Sequence, residues 1–201
     1  MMKKTILFMS IILLFSLLSC IKDATYENYF DSKSYKSNYA AWKSENIQNY
    51  TFTITSSHSS SSGVMYKVVI EVRNNEVVSR EYPVPESEQR RQEEYLNNIK
   101  QNPLFGETNS IDDVFDYILE SYTDMVENPT PMTSYDSGTG IMSEYYYDAV
   151  HCNVKYDSQY HYPTYIYFER RYKELDKTDR VGFSSSSSYY ITDFKVLSDE
   201  Q

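Results

Sequence analysis

Two stretches of strict alternation, one on each side of a long amphipathic helix pattern, constrain this chain more than any other feature. Tyr50, Phe52 and Ile54 alternate with Thr51, Thr53 and Thr55, so one face of that segment is apolar and the other hydroxylated. Val64, Tyr66, Val68, Ile70 and Val72 then alternate with Met65, Lys67, Val69, Glu71 and Arg73. Asn74-Asn75 suits a two-residue hairpin turn, because asparagine tolerates positive φ better than most residues. That turn sets Arg73 opposite Glu76 and Val72 opposite Val77. The third strand runs to about Tyr82 and ends before Pro83 and Pro85.

The second block begins after a turn-rich loop around Asp136-Ser137-Gly138. Val150, Cys152, Val154 and Tyr156 share one face, with His151, Asn153 and Lys155 on the other. Thr164, Ile166 and Phe168 follow Tyr162-Pro163, and a last strand covers 189–196. Two serine runs, 59–62 and 184–188, read as loops.

Between the blocks lies a helix over 110–128. Ser110 and Asp113 make an S-x-x-D start. Ile111, Val114, Phe115, Ile118, Tyr122, Met125 and Val126 keep helical spacing, and Pro129 and Pro131 stop it. A shorter first helix carries Tyr35, Tyr39 and Trp42 at i, i+4 and i+7 and ends near Asn46. The charged stretch 86–101 has Tyr95, Leu96 and Ile99 as its sizeable apolar groups and reads as a solvated helix or an insertion. The expected fold is α+β: an antiparallel sheet from two three-stranded blocks, separated by and packed against a helix, each block with one solvated face.

The N-terminus adds a delivery signal. Lys3 and Lys4 precede an apolar run from Ile6 to Leu18, too short for a comfortable bilayer crossing. Its end, Leu17-Leu18-Ser19-Cys20, resembles the lipobox of bacterial lipoproteins. The resemblance implies cleavage before Cys20, diacylglycerol on its sulfur and an acyl group on the new amino terminus, with no other cofactor. Two or more chains anchor a protein stably. The expected organisation is a signal peptide at 1–19, a polar tether at 20–36 and one domain at 37–201. The expected location is the cell envelope, and the outer membrane where the organism has one, since Ile21 rather than aspartate follows the cysteine.

Charge narrows the partners. The chain holds 29 acidic against 19 basic residues, and losing Lys3 and Lys4 makes it more acidic still. That argues against nucleic acid and against a polybasic grip on anionic lipid. Once Cys20 is acylated only Cys152 remains, so no internal disulfide is possible.

From about Asn38 to Val196 the order of motifs resembles a widespread bacterial domain family of unknown function, found in exported proteins and lipoproteins. Trp42 in a first helix, Tyr50-x-Phe52, the hairpin residues Ile70, Val72, Asn75 and Val77, and Ile111, Val114 and Phe115 in the long helix follow its pattern. Tyr156, Asp157, Tyr162, Pro163 and Ile166 close it. His161 stands where the family usually has glycine. The resemblance implies fold and location and brings no activity.

The sequence offers little chemistry. There is no G-x-S-x-G, S-x-x-K, H-E-x-x-H, G-x-G-x-x-G or phosphate loop. His151 and His161 meeting across a hairpin, joined by Asp148 or Asp157, would be a metal site; separate surface histidines are the plainer reading. Cys152 and His151 point to opposite faces of one strand, which favours core over nucleophile for the cysteine. The expectation is a non-catalytic binding or structural module of the envelope, holding a protein partner or peptidoglycan. The alternative is a glycan or ligand binder using exposed tyrosines; an enzyme comes third. Tyrosine is over-represented, with 22 copies against one tryptophan. The candidate contact residues are Tyr145, Tyr147, Tyr165 and Tyr167, because alternation sends Tyr165 and Tyr167 opposite to Ile166 and Phe168.

Overall fold

In a computed structural model of the chain, the residues described are 27–57, 65–129, 132–136, 141–174 and 181–198. The strands are β1 (Tyr29–Phe30), β2 (Tyr50–Ser57), β3 (Lys67–Arg73), β4 (Glu76–Glu81), β5 (Met132–Asp136), β6 (Ile141–Tyr156), β7 (Pro163–Glu174) and β8 (Val181–Val196). The α-helices are α1 (Ser32–Glu45), α2 (Gln92–Gln101), α3 (Pro103–Gly106) and α4 (Ile111–Glu127), and a 3-10 helix, Glu86–Arg91, leads into α2.

All strands join one mostly antiparallel sheet in the order β1-β6-β7-β8-β2-β3-β4, with β5 also pairing β6. The class is α+β, but the sheet has eight strands where two blocks of three were expected. The additions lie along β6, which is 16 residues long: β5 pairs its first residues antiparallel, and β1 pairs parallel at His151 and Cys152. The run Ser184–Ser188, expected as a loop, lies inside β8 between β7 and β2. Pairing with β7 along the whole run, and with β2 at Ser188, holds that backbone extended, whatever the small side chains prefer. The run 59–62 lies outside the described residues.

The β3–β4 hairpin has the expected register, Val72 opposite Val77 and Arg73 opposite Glu76. Both turn asparagines are left-handed, with φ of 52° and 65°. Of the polar stretch expected as a tether, 29–36 is part of the fold, because β1 and the first turn of α1 fall within it; residues 20–26 lie outside the described residues. Asp31 caps α1 by accepting from the Ser34 N–H at 2.9 Å.

One core lies between the sheet and the helices. Trp42 of α1 packs edge-on against Tyr50 and Phe194, with centroids at 5.7 and 5.8 Å. Phe115 of α4 is fully buried between the rings of Tyr39 and Tyr156. Segment 86–101 is not simply solvated: Tyr95 and Ile99 of α2 are buried, beside Leu104 and Phe105 of α3. Phe105 packs on Tyr66 and Tyr189. The guanidinium of Arg80 gathers this corner by donating to the carbonyls of Phe105, Gly106 and Thr108 and to Asn109 Oδ1.

Candidate binding surface

The helices pack on the face bearing Tyr50, Phe52, Ile54, Ile166, Phe168 and Ile191, so alternation leaves their neighbours on the opposite face. Pairing registers align that second face into rows across the strands. One row runs Lys155 (β6), Tyr165 (β7), Tyr190 (β8), Thr55 (β2) and Lys67 (β3). The next runs Asn153, Tyr167, Ser188 and Ser57.

Tyr165 and Tyr167, two residues apart on one strand, hold their rings within 11° of parallel with centroids 6.4 Å apart. Tyr190 closes on Tyr165 at 5.1 Å and is 39% exposed. The Lys155 ammonium sits 5.5 Å from the Tyr165 ring centre, within range of a cation–π contact. Tyr165 and Tyr167 are half-buried, partly covering one another, while Lys155 and Asn153 are exposed. Two ion pairs flank these rows on the same face: Arg171 Nε to Glu169 Oε1 at 3.2 Å, and Arg73 Nε to Glu71 Oε1 at 2.9 Å.

The other expected contact residues are not brought to this cluster. Tyr145 is half-buried near the start of β6, opposite Glu174 and Met132. Tyr147 is placed in β6 opposite Tyr172, and its side chain lies outside the described residues. Cys20 lies outside them too. Sequence reading missed Tyr190, which belongs to the cluster. Its signal was the alternation Tyr189-Tyr190-Ile191, but the row it joins depends on the β7–β8 register.

The residues weighed for chemistry separate. Cys152 is 1% exposed and lines the core, where burial pushes its thiol up to about 12. His151 is on the other face, its Nε2 3.1 Å from the Glu27 carbonyl. His161 is in the turn after β6, about 17 Å of strand beyond His151, and the two do not converge. Among the described residues no group of three or more His, Cys, Asp or Glu side chains is placed to hold a metal, and no buried side-chain nitrogen or oxygen lacks a hydrogen-bond partner.

A cleft of about 310 Å³ opens beside Trp42 at the meeting of α1, β2 and α4. Its polar groups are engaged with one another. Trp42 Nε1 donates to Asp112 Oδ1 at 3.2 Å, Lys43 Nζ pairs with Asp112 Oδ2 at 3.1 Å, and Tyr50 Oη accepts from the Ile111 N–H at 3.2 Å.

These features define an α+β protein with one sheet face closed by helices and the other carrying a tyrosine–lysine–hydroxyl surface. The chain belongs to a family of unknown function, DUF6174, whose model matches residues 34–149. The match takes in Trp42, the Tyr50-x-Phe52 strand, the hairpin and the long helix, and ends before the Tyr156–Ile166 segment. No curated protein and no solved structure matches the chain.

Proposed function

We propose that this protein is a lipid-anchored lipoprotein of the bacterial cell envelope, whose domain serves as a non-catalytic binding or structural module. The observation that carries the reading is Leu17-Leu18-Ser19-Cys20, placed behind Lys3-Lys4 and a short apolar run. Among the described residues no helix is long and apolar enough to cross a membrane. The domain would ride close to its membrane: from Cys20 to the start of β1 the chain reaches no more than about 30 Å even if fully extended. In a two-membrane organism, Ile21 after the cysteine fits the outer membrane.

Mass spectrometry of the protein from its native membrane tests the anchor. The expected N-terminal peptide begins at Cys20 and carries diacylglycerol and an N-acyl chain. A mature chain beginning elsewhere, or an unmodified Cys20, refutes it. A second reading, a glycan-binding surface, is favoured by one observation: the near-parallel rings of Tyr165 and Tyr167 beside Tyr190.

A further inference from the structure

Two adjacent rows of the open face carry charge of the opposite sign to the protein as a whole. The chain is net −10 at pH 7. Yet the row Lys155–Tyr165–Tyr190–Thr55–Lys67 and its neighbour Asn153–Tyr167–Ser188–Ser57 contain no carboxylate. The first row ends in a lysine on each side, about 19 Å apart at ordinary strand spacing. The nearest carboxylates along β7 and β3, Glu169 and Glu71, are each held by an arginine two residues on, and Glu81 of β4, opposite Val69, marks the far edge of the basic rows. Tyrosine rings fill the middle, and hydroxyl and amide groups fill the rest.

From this juxtaposition we propose that the open face binds an acidic polysaccharide lying across β6, β7, β8, β2 and β3. The proposal rests on the binding-module reading above and deepens it by naming the ligand's chemistry. Each group has a task. The apolar faces of sugar rings stack on Tyr165, Tyr167 and Tyr190. Ser57, Ser188, Thr55 and Asn153 exchange hydrogen bonds with sugar hydroxyls. Lys155 and Lys67 pair with carboxylates on the polymer.

The composition fits a protein partner less well. Protein interfaces are depleted in lysine and serine, and these rows supply both with no aliphatic side chain among them. It fits a lipid surface less well for the same reason, since interfacial binding needs buried apolar area or a cluster of cations. The polymer must be anionic, because two terminal lysines would otherwise lose hydration without an ionic partner.

Affinity electrophoresis of the full acylated chain in non-ionic detergent tests this, with polygalacturonate or neutral dextran in the gel. A polyanion repels a protein of this net charge in bulk, so retardation reports a local site. The expected result is retardation by polygalacturonate, relieved by salt and much weaker in dextran. Lys67→Gln with Lys155→Gln should abolish it. Tyr165→Ala with Tyr167→Ala should weaken it at least about tenfold, or about 1.4 kcal/mol. The lysine pair, being polar-for-polar at the surface, keeps the test valid should the tyrosine pair lower stability. No retardation, equal retention in dextran, or retention unchanged by both pairs overturns the proposal.

A Ser188→p-benzoylphenylalanine chain, irradiated in intact cells, separates this failure from that of the broader reading. Crosslinking to an envelope protein, with no retardation in either gel, overturns the acidic polysaccharide and leaves the binding module standing. No crosslink and no retardation overturns both.

Discussion

His161 occupies a backbone position with φ of 64° in the turn between β6 and β7. The turn is closed by Asp157: its N–H donates to the Tyr162 carbonyl at 2.9 Å, and its carbonyl accepts from the His161 N–H at 3.2 Å. Its Oδ1 also accepts from the N–H groups of Gln159 and Tyr160. The left-handed conformation is costly for a side chain with a Cβ and free for glycine. His161→Gly should therefore raise the melting temperature, by the equivalent of about 0.5 kcal/mol after glycine's extra unfolded-state entropy is subtracted. A scanning calorimetry trace with an unchanged or lower midpoint would show that the histidine side chain contributes something the backbone argument omits.

Among the elements, α4 is the one whose start was written out in the sequence. Ser110 Oγ accepts from the Asp113 N–H at 3.1 Å, and Asp113 Oδ2 accepts in return from the Ser110 N–H at 3.1 Å and the Asn109 N–H at 2.6 Å. The box also fixes where the helix enters the core, because the next residue, Ile111, donates its N–H to Tyr50 Oη on β2. Ser110→Ala should cost about 1 kcal/mol in chemical denaturation, with the slope of the transition unchanged. A loss well below that would mean the tyrosine contact alone sets the helix start. The same element shows how local signal and burial agree: Val114, Phe115 and Ile118 follow helical spacing and are all fully buried. In α2 they diverge. Tyr95 and Ile99 are too few to stand out against ten mostly polar residues, but the corner organised by Arg80 buries both.

For the molecule as a whole, the buried hydroxyls and thiol set a limit on the alkaline side. Desolvation pushes Tyr35, Tyr50 and Cys152 up to about 12 and raises Tyr156 and Tyr117 as well. In the unfolded chain these groups ionise near 8.5 for cysteine and about 10 for tyrosine. Below about pH 8.5 both states are neutral and the contribution to stability is complete; above it the unfolded state loses protons first, so stability falls. Melting midpoints should be flat between pH 7 and 8 on this account and should drop progressively between about pH 9 and 12. Unfolding followed by thiolate absorbance should show Cys152 ionising only as the fold is lost. A midpoint that holds to pH 11 would contradict the buried, neutral state of these groups.

The sequence by itself determined the α+β class, the hairpin at Asn74-Asn75 with its register, the cap and core stripe of α4, and the split between Ile166 and Phe168 on one face and Tyr165 and Tyr167 on the other. These are local matters, settled by period, turn chemistry and capping within a few residues. Only the tertiary structure decided that Ser184–Ser188 is strand, that Tyr29–Phe30 pairs with β6, and that Tyr190 and Lys67 share a row with Tyr165. Each of those depends on partners far along the chain. A serine run is held extended by its pairing with β7, joined by β2 only at Ser188. A row across five strands exists only once every register between them is fixed, and no window of sequence contains those registers.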